Sequence, residues 1–223
     1  MLPTLRALWQ ADGTFPNGSF AFSYGIEGAI ALRQGMDAGE FARLVASILT
    51  HRWASFDRVA LLRAFRSDGD FATITAIDEE VEAATLIAPL RAGSRRNGAS
   101  FLASHAQLGN ELARRLRTGV RKGDCLGHIA VMQGAIWSKE GLDENLALMT
   151  SGYTAVSGLI TAAVRLGAIG VLQGQAILRD SLPAIERLAA SPVTDGTELE
   201  SFLPFLDVAS ARQERADLRL FAN

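Results

Sequence analysis

From Phe41 onward, apolar residues recur as Phe41, Leu44, Val45, Ile48, Leu49, Trp53, Phe56, Val59, Leu62 and Phe65. Steps of three and four over so long a run put one continuous stripe on an α-helix, and no strand can use that pattern. Asp37, with Glu40 three residues on, has the form of a capping box at its start. Asp68-Gly69 ends it. Further helices are expected from about Asp70 to Ala88, ended by Pro89, and from Gly98 to Arg117, stopped at Thr118-Gly119. Others are expected over Asp124–Lys139, from an Asp143 cap to about Leu166, and over Val171–Ala190 with Pro183 kinking or splitting it. Strand-like alternation bounded by turns is absent. The expected fold is all-α, a single domain over 1–223 built as a bundle of about seven to ten helices.

The stretch 145–164 carries no charge over a length that could cross a bilayer. Asn145, Thr150, Ser151, Gly152, Tyr153, Thr154 and Ser157 dilute it, so it is expected to be a buried helix of the bundle. Small residues continue through Gly158, Gly167, Gly170 and Gly174. A glycine inside a helix costs about 1 kcal/mol against alanine, which close backbone approach can offset. The 146–178 region is therefore expected to form the central, most crowded helix pair.

Chemistry-bearing patterns are sparse. HExxH, CxxC, GxSxG and phosphate-loop motifs are all missing. Cys125 is the single cysteine, which excludes an internal disulfide and fits a reducing compartment. The N-terminus lacks a signal-peptide pattern, and with a net charge of −2 no bulk attraction to nucleic acid or anionic membrane is expected. No cofactor and no resident metal are expected. Cys125 and His128, three apart, would share a helix face. They could be half of a metal site completed by a second protomer, or a buried cysteine beside a partly exposed histidine; the second reading is preferred. A basic band, with Arg91, Arg95, Arg96, Arg114, Arg115, Arg117, Arg121 and Lys122, reads either as a solvated helix face or as a docking patch for an acidic partner. The acidic run at 78–82, DEEVE, is its counterpart and could neutralise it within the fold.

Both ends of the chain are unusual. FPNGSFAFSYGIE (15–27) combines glycines, aromatics and a proline ahead of one glutamate, Glu27. Pro16 and Gly18 suit a shaped loop, with Phe15, Phe20, Phe22 and Tyr24 to seat it or to offer area to a partner. Glu27 itself reads as a first-turn helix glutamate. After Ser191-Pro192 the segment 192–223 is polar at first. It then turns apolar through Phe202, Leu203, Phe205, Leu206 and Val208, with Arg212, Arg215 and Arg219 following. Such a tail either packs on its own bundle or docks on another chain.

Four segments, in order along the chain, resemble UreF-type urease accessory proteins. FPNGSFAFSYGIE is similar to an opening motif FPxGGFxHSxGLE, and RRNGASFL (95–102) to an arginine-asparagine-glycine region. AVRLGAIGVLQGQAIL (163–178) resembles AVRLxPLGQxxGQxxL, and DVASARQERADLRLF (207–221) resembles a DIASxRHExxxxRLF close. The chain departs from the pattern at Ser19, Phe22, Ala168, Val171 and Gln213, which weakens any nickel-handling role for the missing histidines. The resemblance implies an all-helical, cytoplasmic, homodimeric, non-enzymatic chaperone in nickel insertion. It would bridge a UreD/UreH-like protein and a nickel-carrying UreG-like GTPase, tune GTP hydrolysis and serve apo-urease. By motif position it assigns partner contacts to Tyr24, Glu27 and Arg165 on the GTPase side. Arg212, Glu214, Arg219, Leu220 and Phe221 would face the UreD/UreH-like partner. The competing reading is a helical small-molecule-binding or metal-binding domain that uses the glycine-rich core or Cys125 and His128.

Overall fold

The computed structural model describes residues 1–16, 23–194, 196–213 and 221, and among them it is all-α with no strand. In chain order the helices are α1 (Leu2–Ala11), α2 (Ile26–Leu32), α3 (Ala38–Ile48), α4 (Arg58–Arg66), α5 (Phe71–Ala84) and α6 (Ala88–Gln107). They continue with α7 (Glu111–Lys122), α8 (Ile129–Lys139), α9 (Glu144–Arg165), α10 (Val171–Ala189) and α11 (Pro204–Gln213). A π-helical stretch, Leu49–Asp57, joins α3 to α4 without interruption. The apolar stripe from Phe41 to Phe65 is thus one rod, opened by the expected capping box. The Asp37 side chain accepts from Glu40 N at 2.7 Å, and the Glu40 side chain accepts from Asp37 N at 3.3 Å.

Several boundaries differ from the sequence expectation, each for a local reason. α5 stops at Ala84, and Pro89 opens the next helix instead of closing the last one. In the first turn its missing N–H would have had no partner anyway. The helix expected over 98–117 begins at Ala88 and breaks at Leu108–Asn110. There Gly109 has φ +99, and the Asn110 side chain caps α7 by accepting from Ala113 N at 2.9 Å. α7 then runs straight through Thr118-Gly119 to Lys122. The helix expected from Asp124 starts only at Ile129.

α9 is a core helix, with its buried side packed against α1, α4 and α10. Its buried Ser151 accepts from Trp53 Nε1 at 3.0 Å. It is the one described helix long and apolar enough to cross a membrane. The α9–α10 seam is filled as expected: a Cβ at Gly174 would lie 2.6 Å from Ile160 Cγ2. The closest backbone approach between two helices is elsewhere, between α4 and α8. A Cβ at Gly134 would overlap the Leu61 carbonyl and lie 3.0 Å from Phe65 N. Trp53, Phe41, Phe56, Phe101 and Trp137 are the largest fully enclosed side chains of the core.

The π-helical stretch has a structural job. π geometry shifts the regular hydrogen-bond ladder and redirects backbone carbonyls. Here His51 O accepts from Phe202 N at 3.2 Å and Ser55 O accepts from Glu200 N at 3.0 Å. Ser55 Oγ returns a bond to Glu200 O at 2.7 Å. The polar start of the C-terminal segment is therefore tied to the middle of the long rod.

Candidate docking site around the C-terminal segment

Beyond those ties the chain enters α11, and one face of that helix closes over α2. Leu203, Leu206, Ala209, Ser210 and Gln213 are buried. The approach is closest at Gly28, where a Cβ would run into the Ala209 carbonyl. Gly25 starts α2 from the left-handed region, at φ +82, which a glycine adopts without the Cβ clash that other residues meet. The opposite face of α11 is bare: Phe205 and Val208 are 44% and 54% exposed, and Phe202, two residues before the helix, is 78% exposed.

Four of the residues singled out by the sequence meet here. Glu27, in the first turn of α2 and buried, accepts from the backbone N–H of Phe221 through Oε2 at 3.3 Å. The Arg165 guanidinium, in the last turn of α9, sits 4.4 Å over the buried Phe221 ring. A cation held over an aromatic face adds about 0.5–2 kcal/mol, more as water is excluded. Tyr24 lies one residue before Gly25, also at positive φ (54°), with its hydroxyl pushed up to about 12 mainly by burial. Residues far apart in sequence thus share one locus, with the terminal phenylalanine between the acid and the base. Arg212 stands exposed at the end of α11. Glu214, Arg219 and Leu220 lie outside the described residues, as do Gly18, Ser19, Phe20 and Phe22 of the opening motif. Phe15 is described and buried. It packs edge-on to Trp9 at 5.3 Å and against His105 at 5.2 Å, which fastens the start of that motif to α1 and α6.

Sequence reasoning missed a cavity of about 110 Å³ beside this locus. It lies on the far side of α9 from the glycine-rich seam, between α6, the π-helical stretch, α9 and the C-terminal segment. Tyr24, Asn97, Trp53, Leu203, Leu206 and Asp207 are among its walls. Tyr24 of the opening motif and Asn97 of the RRNG segment stand in its wall, but nothing in their spacing announced it.

The preferred reading of the Cys125/His128 pair holds for the cysteine, which is buried, and fails for the histidine. The two do not share a helix, because His128 is the residue before α8 and is fully buried. Asp78, itself fully buried on α5, gathers the loop that contains them. It accepts from the amides of Leu126 (2.8 Å), Gly127 (2.6 Å) and His128 (2.8 Å), and from Cys125 Sγ at 3.3 Å. Burial and the adjacent Asp78 push the Cys125 thiol up to about 12, so it is not a ready thiolate ligand. The His128 ring contacts Ser94 Oγ through Nδ1 (3.1 Å) and Glu82 Oε2 through Nε2 (2.8 Å). Among the described residues no group of three metal-ligating side chains is assembled. The acidic run does its work inside the fold: Glu82 pairs with Arg91 at 3.2 Å and Arg95 at 3.5 Å, and Glu80 with Arg63 at 2.7 Å. Part of the basic band is thereby neutralised.

His128 gives a pH prediction. Burial pushes its imidazole below the ordinary value of 6.5, against the pull of Asp78 and Glu82. A histidine held neutral in the fold stabilises fully above its unfolded value, and that stability is lost as pH falls through the folded value. Urea midpoints of the wild type are expected to decline from about pH 7 to about pH 5, and His128→Gln is expected to flatten part of that decline. Parallel slopes for the two proteins would show that His128 is not the group that titrates.

The architecture and this locus define a class: an all-α protein whose distinctive segments gather around its own C-terminus and leave an apolar helix face uncovered beside them. The family follows from comparison. A UreF family model matches residues 36–182. Proteins called urease accessory protein UreF are similar over nearly the full length. One from Trichodesmium erythraeum is 30% identical over 98% of this chain and 96% of its own. One from Kocuria rhizophila is 29% identical over 99% and 97%, and one from Rhizobium johnstonii 30% over 97% and 95%. The chain belongs to the UreF family of urease accessory proteins. The motifs at 15–27 and 207–221 flank the 36–182 match, and the similarity to the full-length relatives extends across nearly all of the chain.

Proposed function

We propose that this protein is a non-catalytic, cytoplasmic adapter in urease maturation, one domain over 1–223 working as a homodimer. Its C-terminal segment docks a UreD/UreH-like accessory protein. The surface around Tyr24, Glu27 and Arg165 engages a nickel-carrying UreG-like GTPase and tunes GTP hydrolysis, so that nickel reaches apo-urease. The observation that carries the reading is the two-faced C-terminal helix: one side buried on α2, the other presenting Phe205 and Val208 beside the exposed Arg212, with Phe202 exposed just ahead of it. Aromatic residues and arginine are the types enriched where proteins meet. Glu214, Arg219 and Leu220 extend the same segment in sequence.

The Phe221 contacts supply a route between the two partners. Glu27 and Arg165 both hold the terminal ring and its amide. A partner that draws on the C-terminus therefore changes what these two side chains present to the GTPase. Linkage requires the reverse effect with equal coupling. A second uncovered apolar surface, the outer side of α1 with Leu2, Leu5 and Leu8, supports self-association.

The test uses the co-expressed accessory proteins. Phe205→Asp, on the exposed face, is expected to abolish capture of the UreD/UreH-like partner while thermal melting stays within about 2 °C of wild type. Glu27→Ala is expected to change GTP turnover of the assembled complex at least about threefold, with partner capture retained. Identical turnover would remove Glu27 from the GTPase contact, and unimpaired capture by Phe205→Asp would remove α11 from the partner interface.

A further inference from the structure

The outer face of α7 gathers like charge without neutralising it. The helix carries Arg114, Arg115, Arg117, Arg121 and Lys122 against a single acid, Glu111, while Ala113, Leu116 and Gly119 form its buried side. Arg114, Arg115, Arg121 and Lys122 are exposed and Arg117 is half-buried. Arg114, Arg117 and Arg121 follow at steps of three and four, so they stand on one ridge, with Arg115 and Lys122 beside it. The fold engages two of the five. Arg114 pairs with Glu111, and Arg115 lies 5.1 Å over the Phe71 ring. Among the described residues no ion pair reaches Arg117, Arg121 or Lys122. On α6, by contrast, Glu82 takes up Arg91 and Arg95.

Like charges three or four residues apart weaken a helix. The helix dipole compensates only in the last turn, at Arg121 and Lys122. Glutamine would hold the same positions with nearly the same helix propensity and no repulsion. A ridge of three guanidinium groups is therefore better explained by recognition, since each can grip a carboxylate through two parallel N–H···O bonds. The surroundings decide which anion. The chain as a whole is net −2, so what surrounds this basic helix is acidic on balance. A nucleic acid or an anionic bilayer extends well past the helix, which is about 18 Å long, and would be repelled there. The ridge also has no aromatic ring for a base to stack on and no apolar side chain to enter a bilayer. Arg114 to Arg121 is a rise of about 10 Å, which about three residues of extended chain cover.

We propose that the outer face of α7 docks a short acidic segment of a partner protein, with carboxylates paired to Arg114, Arg117 and Arg121. α7 packs chiefly on α6, and α11 chiefly on α2, so this is not the face offered by the C-terminal helix. The inference stands whether or not the partner assignments above are right.

Acetylated hexaglutamate is the probe, titrated into the full chain and followed by amide NMR. Hexaglutamine, a thymidylate hexamer and phosphatidylglycerol vesicles represent the uncharged, nucleic-acid and bilayer alternatives. Hexaglutamate is expected to shift the amides of 111–122 and to bind at least about tenfold tighter than hexaglutamine or the thymidylate hexamer. Its affinity should fall at least about threefold between about 50 and about 200 mM salt. The protein should not sediment with the vesicles. Arg114→Gln/Arg117→Gln/Arg121→Gln is expected to lose hexaglutamate binding at least about tenfold, while its Tm stays level or rises as the repulsion is relieved. Arg43→Gln, at an exposed arginine on α3, should change neither. Equal affinity for the two peptides, tighter binding of the thymidylate hexamer, sedimentation with the vesicles, or shifts confined to other helices would overturn the proposal. So would a Tm lowered by more than about 3 °C in the triple variant, because the arginines would then belong to the fold.

Discussion

Asp78→Ala is expected to cost about 4 kcal/mol of folding stability, seen as a drop of roughly 10 °C or more in Tm. The size follows from what one carboxylate serves. Three consecutive amides, of Leu126, Gly127 and His128, and the Cys125 thiol all donate to this fully buried carboxylate. Each stranded buried N–H costs about 1–3 kcal/mol, partly relieved if water enters. The acid also lies at the N-terminus of α8, where the helix dipole favours negative charge. Asp78→Asn keeps one acceptor oxygen but turns an amide toward donors, so about half the loss is expected. A Tm shift under about 3 °C for the alanine variant would show that the loop 124–128 is held by something else.

What the sequence makes legible is whatever depends on neighbours a few residues away. The stripe from Phe41 to Phe65, the Asp37–Glu40 box and the Asp143 cap on α9 all follow from local spacing, and the structure contains each of them. The π-helical stretch does not announce itself. Leu49, Trp53 and Phe56 keep α-like spacing, and what distinguishes the stretch is its bonds to Glu200 and Phe202. Pro89 and Gly119 mislead because each residue type has two uses: proline ends a helix or opens one, and glycine ends a helix or sits inside one where a neighbour packs close, as Phe71 does at Gly119. Cys125 and His128 suggest a shared face only while a helix is assumed to run through them. Their real surroundings come from Asp78, Glu82 and Ser94 on other elements.

The site shows the same division more sharply. Resemblance to a family picks out Tyr24, Glu27, Arg165 and Phe221 by motif, but no spacing argument places Glu27 against Phe221 across 194 positions. The geometry adds a physical reason for the glycine pair in the opening motif's helix: Gly25 sets the entry to α2, and Gly28 lets α11 lie directly on it. The seam between chain start and chain end is therefore backbone against backbone, with the exposed phenylalanines carried on its outer side.

Gly28→Val tests whether that seam matters for docking. A Cβ there would collide with the Ala209 carbonyl and lie 3.2 Å from Gln213 Cβ. Neither is the flexible end of a side chain, so α11 has to lift from α2. Overpacking of this kind costs about 1–3 kcal/mol, and here the strain is relieved by releasing the C-terminal helix rather than by opening the α4–α8 core. The variant is expected to keep its helical circular dichroism while Phe205 and Phe221 lose protection from proteolysis. Affinity for the UreD/UreH-like partner is expected to fall at least about tenfold, because the segment must be reordered on binding. Gly158→Ala is the matched control, since its new methyl meets only Tyr24 Cε2 at an ordinary 3.7 Å. Undiminished partner affinity in Gly28→Val, with α11 shown to be released, would mean that the partner takes the segment free of the bundle. In that case the contact with α2 would hold the docking face back instead of presenting it.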